Sequence, residues 1–299
     1  MAVEPEGPAK PPWLRVRLCD GTVAERVRET MRRLGLETVC EQARCPNQGE
    51  CWSQGTATVL ILGEVCTRRC GFCAVSSGVP ETVDPYEPRR VAEATVYLEW
   101  KHLVITSVTR DDLADGGAPQ FAACVQALRQ TAPECSIELL IPDFQGSADA
   151  LERVVVSRPD VVAHNVETVP RLYSRVRPQA DFGRSLGVLR RIKGFHPKMV
   201  TKSGIMVGIG ETWEELTEAM QLLREAGCNI LTVGQYLAPS KQHLPVVRYY
   251  APEEFENLRE IGLQLGFGWV EAGPLVRSSY HAGRHSQTRE TNQRPGCTS

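Results

Sequence analysis

The sequence lacks any long apolar run and any strong excess of one charge. No stretch approaches the roughly 20 apolar residues that a membrane helix needs. The first 13 residues contain prolines and glutamates instead of the apolar centre of a secretory signal. A net charge of -2 gives no general attraction to nucleic acid or anionic lipid. We therefore expect a cytoplasmic protein with no membrane segment and no nucleic-acid partner.

The chain has the composition of a folded globular protein. Of its 299 residues, 42% are hydrophobic and 23% are charged. A chain of this length buries roughly three quarters of its unfolded surface, so it needs no disulfides for stability.

Six short apolar runs rich in β-branched residues predict strands, and helix-like segments separate them. The runs cover residues 59–62, 103–105, 137–141, 161–163, 204–207 and 230–233, with helices expected over 121–129, 148–156, 185–192 and 213–226. Repeated βαβ units form a parallel sheet. Six units are fewer than the eight of a closed barrel. We expect an α/β fold, an open partial (β/α)6 TIM-like barrel with its site at the carboxyl ends of the strands.

Extensions flank the predicted barrel on both sides. We divide the chain into an N-terminal extension (1–53), the barrel (54–250) and a C-terminal extension (251–299). The first extension contains an amphipathic helix over 23–36. The second contains a helix over 252–264, an apolar run at 269–270 and a polar tail from His281, which we expect to be flexible.

Eleven cysteines are the unusual feature of the composition. Six of them lie within about 35 residues, which indicates metal or redox chemistry in a reducing compartment. The others have no partner at ligand spacing and are predicted to be structural: Cys19, Cys124, Cys135, Cys228 and Cys297.

The first cysteine triplet is Cys66, Cys70 and Cys73, with spacing C-x3-C-x2-C directly after the first strand. Three thiolates can hold three irons of a cubane cluster and leave the fourth open to a ligand. Gly71 would allow a tight turn, and Phe72 could cover the cluster edge. The same thiols would also suit a zinc-binding structural module, which is an alternative.

Polar or glycine residues end several predicted strands, where a ligand would lie. We select Ser107, Asn165 and Glu167 as hydrogen-bonding groups for a ribose or amino group, and Gly208 for close approach to the backbone. Each is also typical of an ordinary turn or cap, so the case depends on their occurrence together.

The second triplet is Cys40, Cys45 and Cys51, with spacing C-x4-C-x5-C ahead of the barrel. Three thiolates could hold a second cubane. The alternative is three structural thiols, but the polar residues around them offer little burial for such thiols.

The first triplet resembles that of the radical S-adenosylmethionine (SAM) superfamily. Both triplets together, with RSSY at 277–280, resemble the lipoyl synthase family. Further matching segments, over a span from about residue 10 to 282, are CPN at 45–47, VTRDDL at 108–113, AHNVETV at 163–169 and GPLV at 273–276.

The resemblance implies two [4Fe-4S] clusters. SAM would bind the open iron of the first, and one electron would cleave it to a 5′-deoxyadenosyl radical. Cys40, Cys45, Cys51 and the serine Ser279 would hold the second cluster, which donates sulfur. The reaction would insert two sulfur atoms at C6 and C8 of an octanoyl chain bound to a lysine of a carrier protein.

The implied partners follow from this chemistry. They are an octanoylated glycine cleavage H protein or 2-oxoacid dehydrogenase E2 domain, and an electron donor such as flavodoxin or ferredoxin. We expect a monomer. A biotin-synthase-like enzyme is the alternative that shares the barrel and first triplet, but it should lack the early triplet and the serine.

Overall fold

A computed structural model describes residues 8–15, 21–43 and 45–285. Within them the strands are β1 (Glu37–Thr38), β2 (Thr56–Ile61), β3 (His102–Ser107), β4 (Ser136–Leu140), β5 (Val161–Ala163), β6 (Val200–Val207), β7 (Ile230–Gln235) and β8 (Trp269–Gly273). The helices are α1 (Gly21–Leu34), α2 (Val39–Gln42), α3 (Gln48–Ser53), α4 (Glu87–Tyr97), α5 (Ala118–Thr131), α6 (Ala148–Val156), α7 (Tyr173–Val176), α8 (Phe182–Phe195), α9 (Trp213–Glu225), α10 (Pro252–Gln264) and α11 (Ala282–His285). Cys19 and Cys297 lie outside the described residues.

These strands form one sheet in chain order. Neighbouring strands from β2 to β8 are parallel, whereas β1 pairs antiparallel with β2. In the described residues β1 and β8 are edges that do not pair with each other, so the barrel is open. The predicted open TIM-like barrel and its six strands are therefore confirmed. The sheet gains β8, whose sequence pattern is weak because only Val270 is buried in it.

The helices cover the outer face of the sheet, and their starts follow local sequence chemistry. Ser147, Asp181 and Thr212 cap α6, α8 and α9 by accepting backbone N–H groups. The sequence analysis missed α4, because its buried face contains small side chains such as Ala92 and Ala94 instead of a stripe of large apolar ones. No helix in the described residues is long and apolar enough to cross a membrane.

Residues 274–285, here called the C-terminal segment, run beside the open sheet. The Val276 carbonyl oxygen lies so close to Gly234 in β7 that a Cβ there would be 2.1 Å away. At the other end, Gly283 lies against His102, the first residue of β3. The segment thus extends from the end of β7 to the start of β3. The tail predicted from His281 is helical over 282–285, where α11 lies, and residues 286–299 lie outside the described part.

A buried ion pair joins two strands inside the barrel. The Lys202 ammonium in β6 donates to Glu138 in β4 at 2.8 and 3.1 Å, and both side chains are almost wholly inaccessible. Since β5 lies between them, the two side chains meet on the inner face of the curved sheet. Burial alone would raise the pKa of Glu138, but the charge of Lys202, together with the contact of His102 at 3.6 Å, outweighs this and lowers it to about 2.

Replacing Lys202 by methionine should destabilise the fold, because Glu138 would stay buried without its main counter-charge, with only His102 beside it. We expect a loss of about 3–5 kcal/mol in the free energy of unfolding, measured by urea titration under reducing conditions. The matched control is Lys198→Met, which changes an exposed lysine four residues away. Equal losses in the two variants would contradict this interpretation.

The same pair predicts an acid dependence. The pKa of Glu138 is lower in the folded chain than its ordinary 4.5. The stability it contributes is therefore complete above pH 4.5 and is lost as the pH falls towards 2. In the double variant Glu138→Gln with Lys202→Met, urea midpoints should fall less steeply over this range than in the parent protein. An unchanged slope would show that other carboxylates govern the acid transition.

Candidate active site

The loop after β2 carries the first triplet and is held by three parts of the chain. The Cys66 N–H donates to the Ser76 carbonyl at 2.8 Å. The Gly71 N–H donates to Val176 at the end of α7 at 2.9 Å, and the Leu244 N–H donates to the Gly71 carbonyl at 3.0 Å. The loop is therefore fixed from the β5 and β7 sides of the barrel rim, where the sequence predicts the site.

Cys66, Cys70 and Cys73 are free, partly buried thiols on this loop. Burial raises the pKa of Cys70, and it raises that of Cys73 to about 11. The neighbouring thiol of Cys66 also raises the pKa of both residues, which places the three sulfurs in one electrostatic environment. Iron binds thiolates, so cluster binding would displace the protons of Cys70 and Cys73. The donor set fits a cluster with one iron left open.

Gly71 and Phe72 both pack against the rest of the barrel. A Cβ on Gly71 would lie 2.9 Å from Leu244 Cγ, so the glycine is needed for close packing. Phe72 packs against the apolar cluster on the β6 and β7 side. Its predicted place over the cluster edge stays a prediction. His243 supports the loop from the same side, with Nε2 3.0 Å from the Cys73 carbonyl oxygen.

Three of the residues selected at strand ends carry polar atoms suited to a ligand. Asn165 donates to Glu167 Oε1 at 3.0 Å, while Asn165 Oδ1 and Ser107 Oγ are buried without a hydrogen-bond partner. Buried polar groups are normally paired, so unpaired ones indicate a missing partner. Burial raises the pKa of Glu167, and the nearby charge of Arg177 partly offsets this.

Gly208, the fourth residue selected, faces protein atoms. Its φ is 93°, and a Cβ would lie 2.2 Å from Gln235 Nε2 and 2.4 Å from the Arg248 carbonyl oxygen. Its N–H donates to the Glu211 carboxylate at 2.6 Å, and the N–H groups of Ile209 and Gly210 donate to the same carboxylate. The glycine thus accommodates a loop packed on Gln235. Ligand contact at Gly208 stays a prediction.

Arg177 is a site residue that the sequence analysis missed. It is buried beside Cys70 and Glu167, and its Nη1 donates to the Asn165 carbonyl at 2.8 Å. Its Nε has no hydrogen-bond partner. A buried guanidinium with a free donor can bind a carboxylate. The sequence shows only that Arg177 precedes a proline in the loop after β5. That feature does not indicate which groups the side chain contacts.

The second triplet lies on and between α2 and α3, which both pack against β2. Cys40 belongs to the apolar cluster that includes residues of β2 and β3, and Cys45 and Cys66 pack against the same cluster. Both triplets therefore border one part of the core. Burial and the neighbouring thiol of Cys45 raise the pKa of Cys40 to about 12. Burial, with Cys45 and Cys40 as neighbours, raises the pKa of Cys51 to about 12 as well. The structure thus brings the three predicted thiols together.

The C-terminal segment packs on this triplet. The Asn47 amide donates to the Leu275 carbonyl at 2.6 Å, and the Tyr280 hydroxyl donates to the Glu50 carboxylate at 3.2 Å. A backbone hydrogen bond from His281 to the Cys51 sulfur partly offsets the rise in the pKa of that thiol. Arg277 is buried beside Cys45. Ser279 therefore belongs to a segment whose neighbours on both sides contact residues of the second triplet.

The remaining described thiols are structural in their surroundings. Cys124, Cys135 and Cys228 are buried and free, and Cys228 Sγ donates to the Ile230 carbonyl at 3.2 Å. No group of three described His, Cys, Asp or Glu side chains is arranged to hold a single metal ion. A cubane differs from such an ion, because each thiolate bonds to a different iron.

Comparison with known proteins gives two family matches. The radical SAM superfamily matches residues 60–223, and the N-terminal domain of lipoyl synthase of the radical SAM family matches residues 4–45. Curated relatives named lipoyl synthase include one from Rubrobacter xylanophilus, 55% identical over 95% of this chain and 88% of the relative. Another, from Caldanaerobacter subterraneus, is 53% identical over 91% of this chain and 95% of the relative.

Solved structures support the fold at much lower identity. Methylornithine synthase (PylB) covers 92% of this chain and 97% of its own with a TM-score of 0.54 and 13% identity. Streptococcus suis SuiB, bound to its precursor peptide SuiA, covers 84% of this chain with a TM-score of 0.58 and 10% identity. The match spans 53% of SuiB. A likeness at this identity carries the barrel fold and nothing finer.

Removing the Tyr280 hydroxyl should loosen the C-terminal segment, because the segment would lose one of its hydrogen bonds to the Glu50 carboxylate. In Tyr280→Phe we expect roughly two- to tenfold faster amide hydrogen exchange over residues 274–285, which corresponds to loss of a hydrogen bond worth about 0.5–1.5 kcal/mol. The control is Tyr86→Phe, which removes an exposed hydroxyl directly before α4. Unchanged exchange in Tyr280→Phe would contradict the anchoring role of this contact.

Proposed function

Because the chain belongs to the lipoyl synthase family of the radical SAM superfamily, we propose that its two cysteine triplets divide the work of sulfur insertion between two [4Fe-4S] clusters. The reaction itself inserts two sulfur atoms, at C6 and C8, into an octanoyl chain on a lipoyl carrier protein, and it uses SAM. The zinc-module and biotin-synthase-like alternatives are set aside by the family matches.

We assign Cys66, Cys70 and Cys73 to the cluster that binds SAM. When bound, this cluster supplies the electron that cleaves SAM, and the second cluster supplies sulfur. Three thiolates leave one iron free for the amino and carboxylate groups of SAM. The half-buried loop limits access of solvent to this site.

We assign the polar groups at the strand ends to SAM itself. Arg177, with its unpaired Nε, suits the carboxylate of the methionine part. The unpaired Asn165 Oδ1 and Ser107 Oγ suit its amino group or the ribose hydroxyls. Glu167, held by Asn165, is a further acceptor on the same side.

We assign Cys40, Cys45, Cys51 and Ser279 to the second cluster. The contacts of Asn47, Glu50 and Cys51 with the C-terminal segment are the observation that supports this assignment. A serine oxygen is a harder ligand than a thiolate and less well matched to iron, so its bond is easier to release. That property suits a cluster whose sulfur is consumed.

The finer identity of the partners also belongs to the proposal. The carrier would be an octanoylated glycine cleavage H protein or an E2 domain, and the electron would come from a flavodoxin or ferredoxin. A lysine arm delivers the chain into the rim, so a modest and transient contact with a monomeric enzyme suffices. Cytoplasmic location stays a prediction.

Iron analysis tests the two clusters directly. Anaerobically prepared protein should contain about eight irons and eight acid-labile sulfides per chain. The variant with Cys40, Cys45 and Cys51 all changed to alanine should contain about four of each. About four irons in the parent protein would overturn the second-cluster assignment.

Changing Ser279 to alanine should separate the two activities. SAM cleavage, measured as 5′-deoxyadenosine, should remain, whereas lipoyl product should fall by at least about 10- to 100-fold, the range typical when a metal's supporting contacts are lost. Cys66→Ala should instead abolish both. The matched control is Ser278→Ala, and product from Ser279→Ala at the rate of this control would refute the serine assignment.

A further inference from the structure

Arg68 lies between two cysteines of the first triplet and is buried, with 5% of its side chain exposed. Its neighbour Arg69 is exposed. Burying a guanidinium is costly unless charged partners and hydrogen bonds compensate for its lost hydration. Nothing in the sequence distinguishes the two arginines, so the difference in their burial depends on the groups that contact Arg68 in the fold.

Two aspartates from neighbouring strand ends bind Arg68. Its Nε and Nη2 donate to the two oxygens of Asp111, beyond β3, at 2.6 and 2.8 Å. Its Nη1 and Nη2 donate to the two oxygens of Asp143, beyond β4, at 3.0 and 2.7 Å. Asp143 is wholly buried and also accepts from Arg184 in α8 at 3.3 Å. These paired contacts tie the loop after β2 to the ends of the next two strands.

Beside these ion pairs, a second set of hydrogen bonds connects the same loops and includes the sulfur of Cys66. The Thr67 N–H and hydroxyl both donate to the Thr109 carbonyl, at 3.0 and 2.9 Å, and the Asp111 N–H donates to the Thr67 hydroxyl at 3.1 Å. With the backbone held in this way, the N–H groups of Arg68 and Thr109 donate to Cys66 Sγ at 3.4 and 3.3 Å.

From these contacts we propose that Arg68, through Asp111 and Asp143, is a positioning residue that holds two backbone N–H groups on Cys66 Sγ and thereby raises the reduction potential of the SAM-binding cluster. Reduction adds negative charge to the cluster and its sulfur ligands. Hydrogen bonds to those sulfurs stabilise the reduced form. The inference rests on the assignment of Cys66 as a cluster ligand.

The test compares Arg68→Lys with Arg69→Lys, the same change on the adjacent exposed residue. Lysine keeps the charge but cannot bind two carboxylates in paired fashion. Iron and sulfide content is measured first. The midpoint potential is then measured by electron paramagnetic resonance, using the part of the reduced-cluster signal that responds to added SAM, which reports the cluster with an open iron.

We expect Arg68→Lys to lower the ratio of reduced to oxidised cluster at a fixed potential by about tenfold, or 59 mV for a one-electron couple. Arg69→Lys should match the parent protein. Asp143→Asn keeps the shape of the site and should shift the midpoint in the same direction, which tests the proposal if Arg68→Lys retains little iron. Parental midpoints in the iron-loaded variants would overturn it. A parent protein without a SAM-responsive signal would instead refute the cluster assignment.

Discussion

The parallel alignment of β2 to β8 is the constraint on which the rest of the structure depends. Parallel strands deliver all their carboxyl ends to one rim, so each following loop adds its polar side chains to the same space. The thiols after β2, the aspartates after β3 and β4, and the amide and carboxylate after β5 meet there for this reason. An antiparallel sheet of the same strands would divide them between two ends of the molecule.

Charges inside the barrel follow a consistent pattern. Lys202 and Glu138 pair across β5 on the inner face, and Arg68 pairs with two aspartates at the rim. In both of these clusters each charge has an opposite charge within hydrogen-bond distance, which offsets the cost of desolvation. Arg177 is the contrast, because its Nε stays unpaired while Glu167 and Cys70 lie beside it. An incompletely satisfied cation at the rim is what a site for an anionic group needs.

The fold could be predicted from the sequence where local patterns suffice. The six inner strands contain short runs of apolar, β-branched residues, and helix starts such as Ser147 and Thr212 have side chains that cap locally. In contrast, α4 buries small residues and β8 is short, so neither produces a strong pattern. The two triplets were visible by spacing alone. Arg68 was not, because its partners lie on other strand loops, 43 and 75 residues away. Arg177 was not either, because the sequence does not show that its side chain is buried beside Cys70. Ser279 stood out only through the family resemblance.

The contact between Glu50 and Tyr280 joins residues 230 positions apart. A chain leaving the ribosome therefore displays its early cysteines long before the segment that covers them has been made. The loop of the first triplet likewise waits for His243 and Leu244, which contact Cys73 and Gly71 from beyond β7. Both sets of thiols therefore reach their final surroundings only near the end of synthesis, and until then they must be kept reduced and free of competing metals.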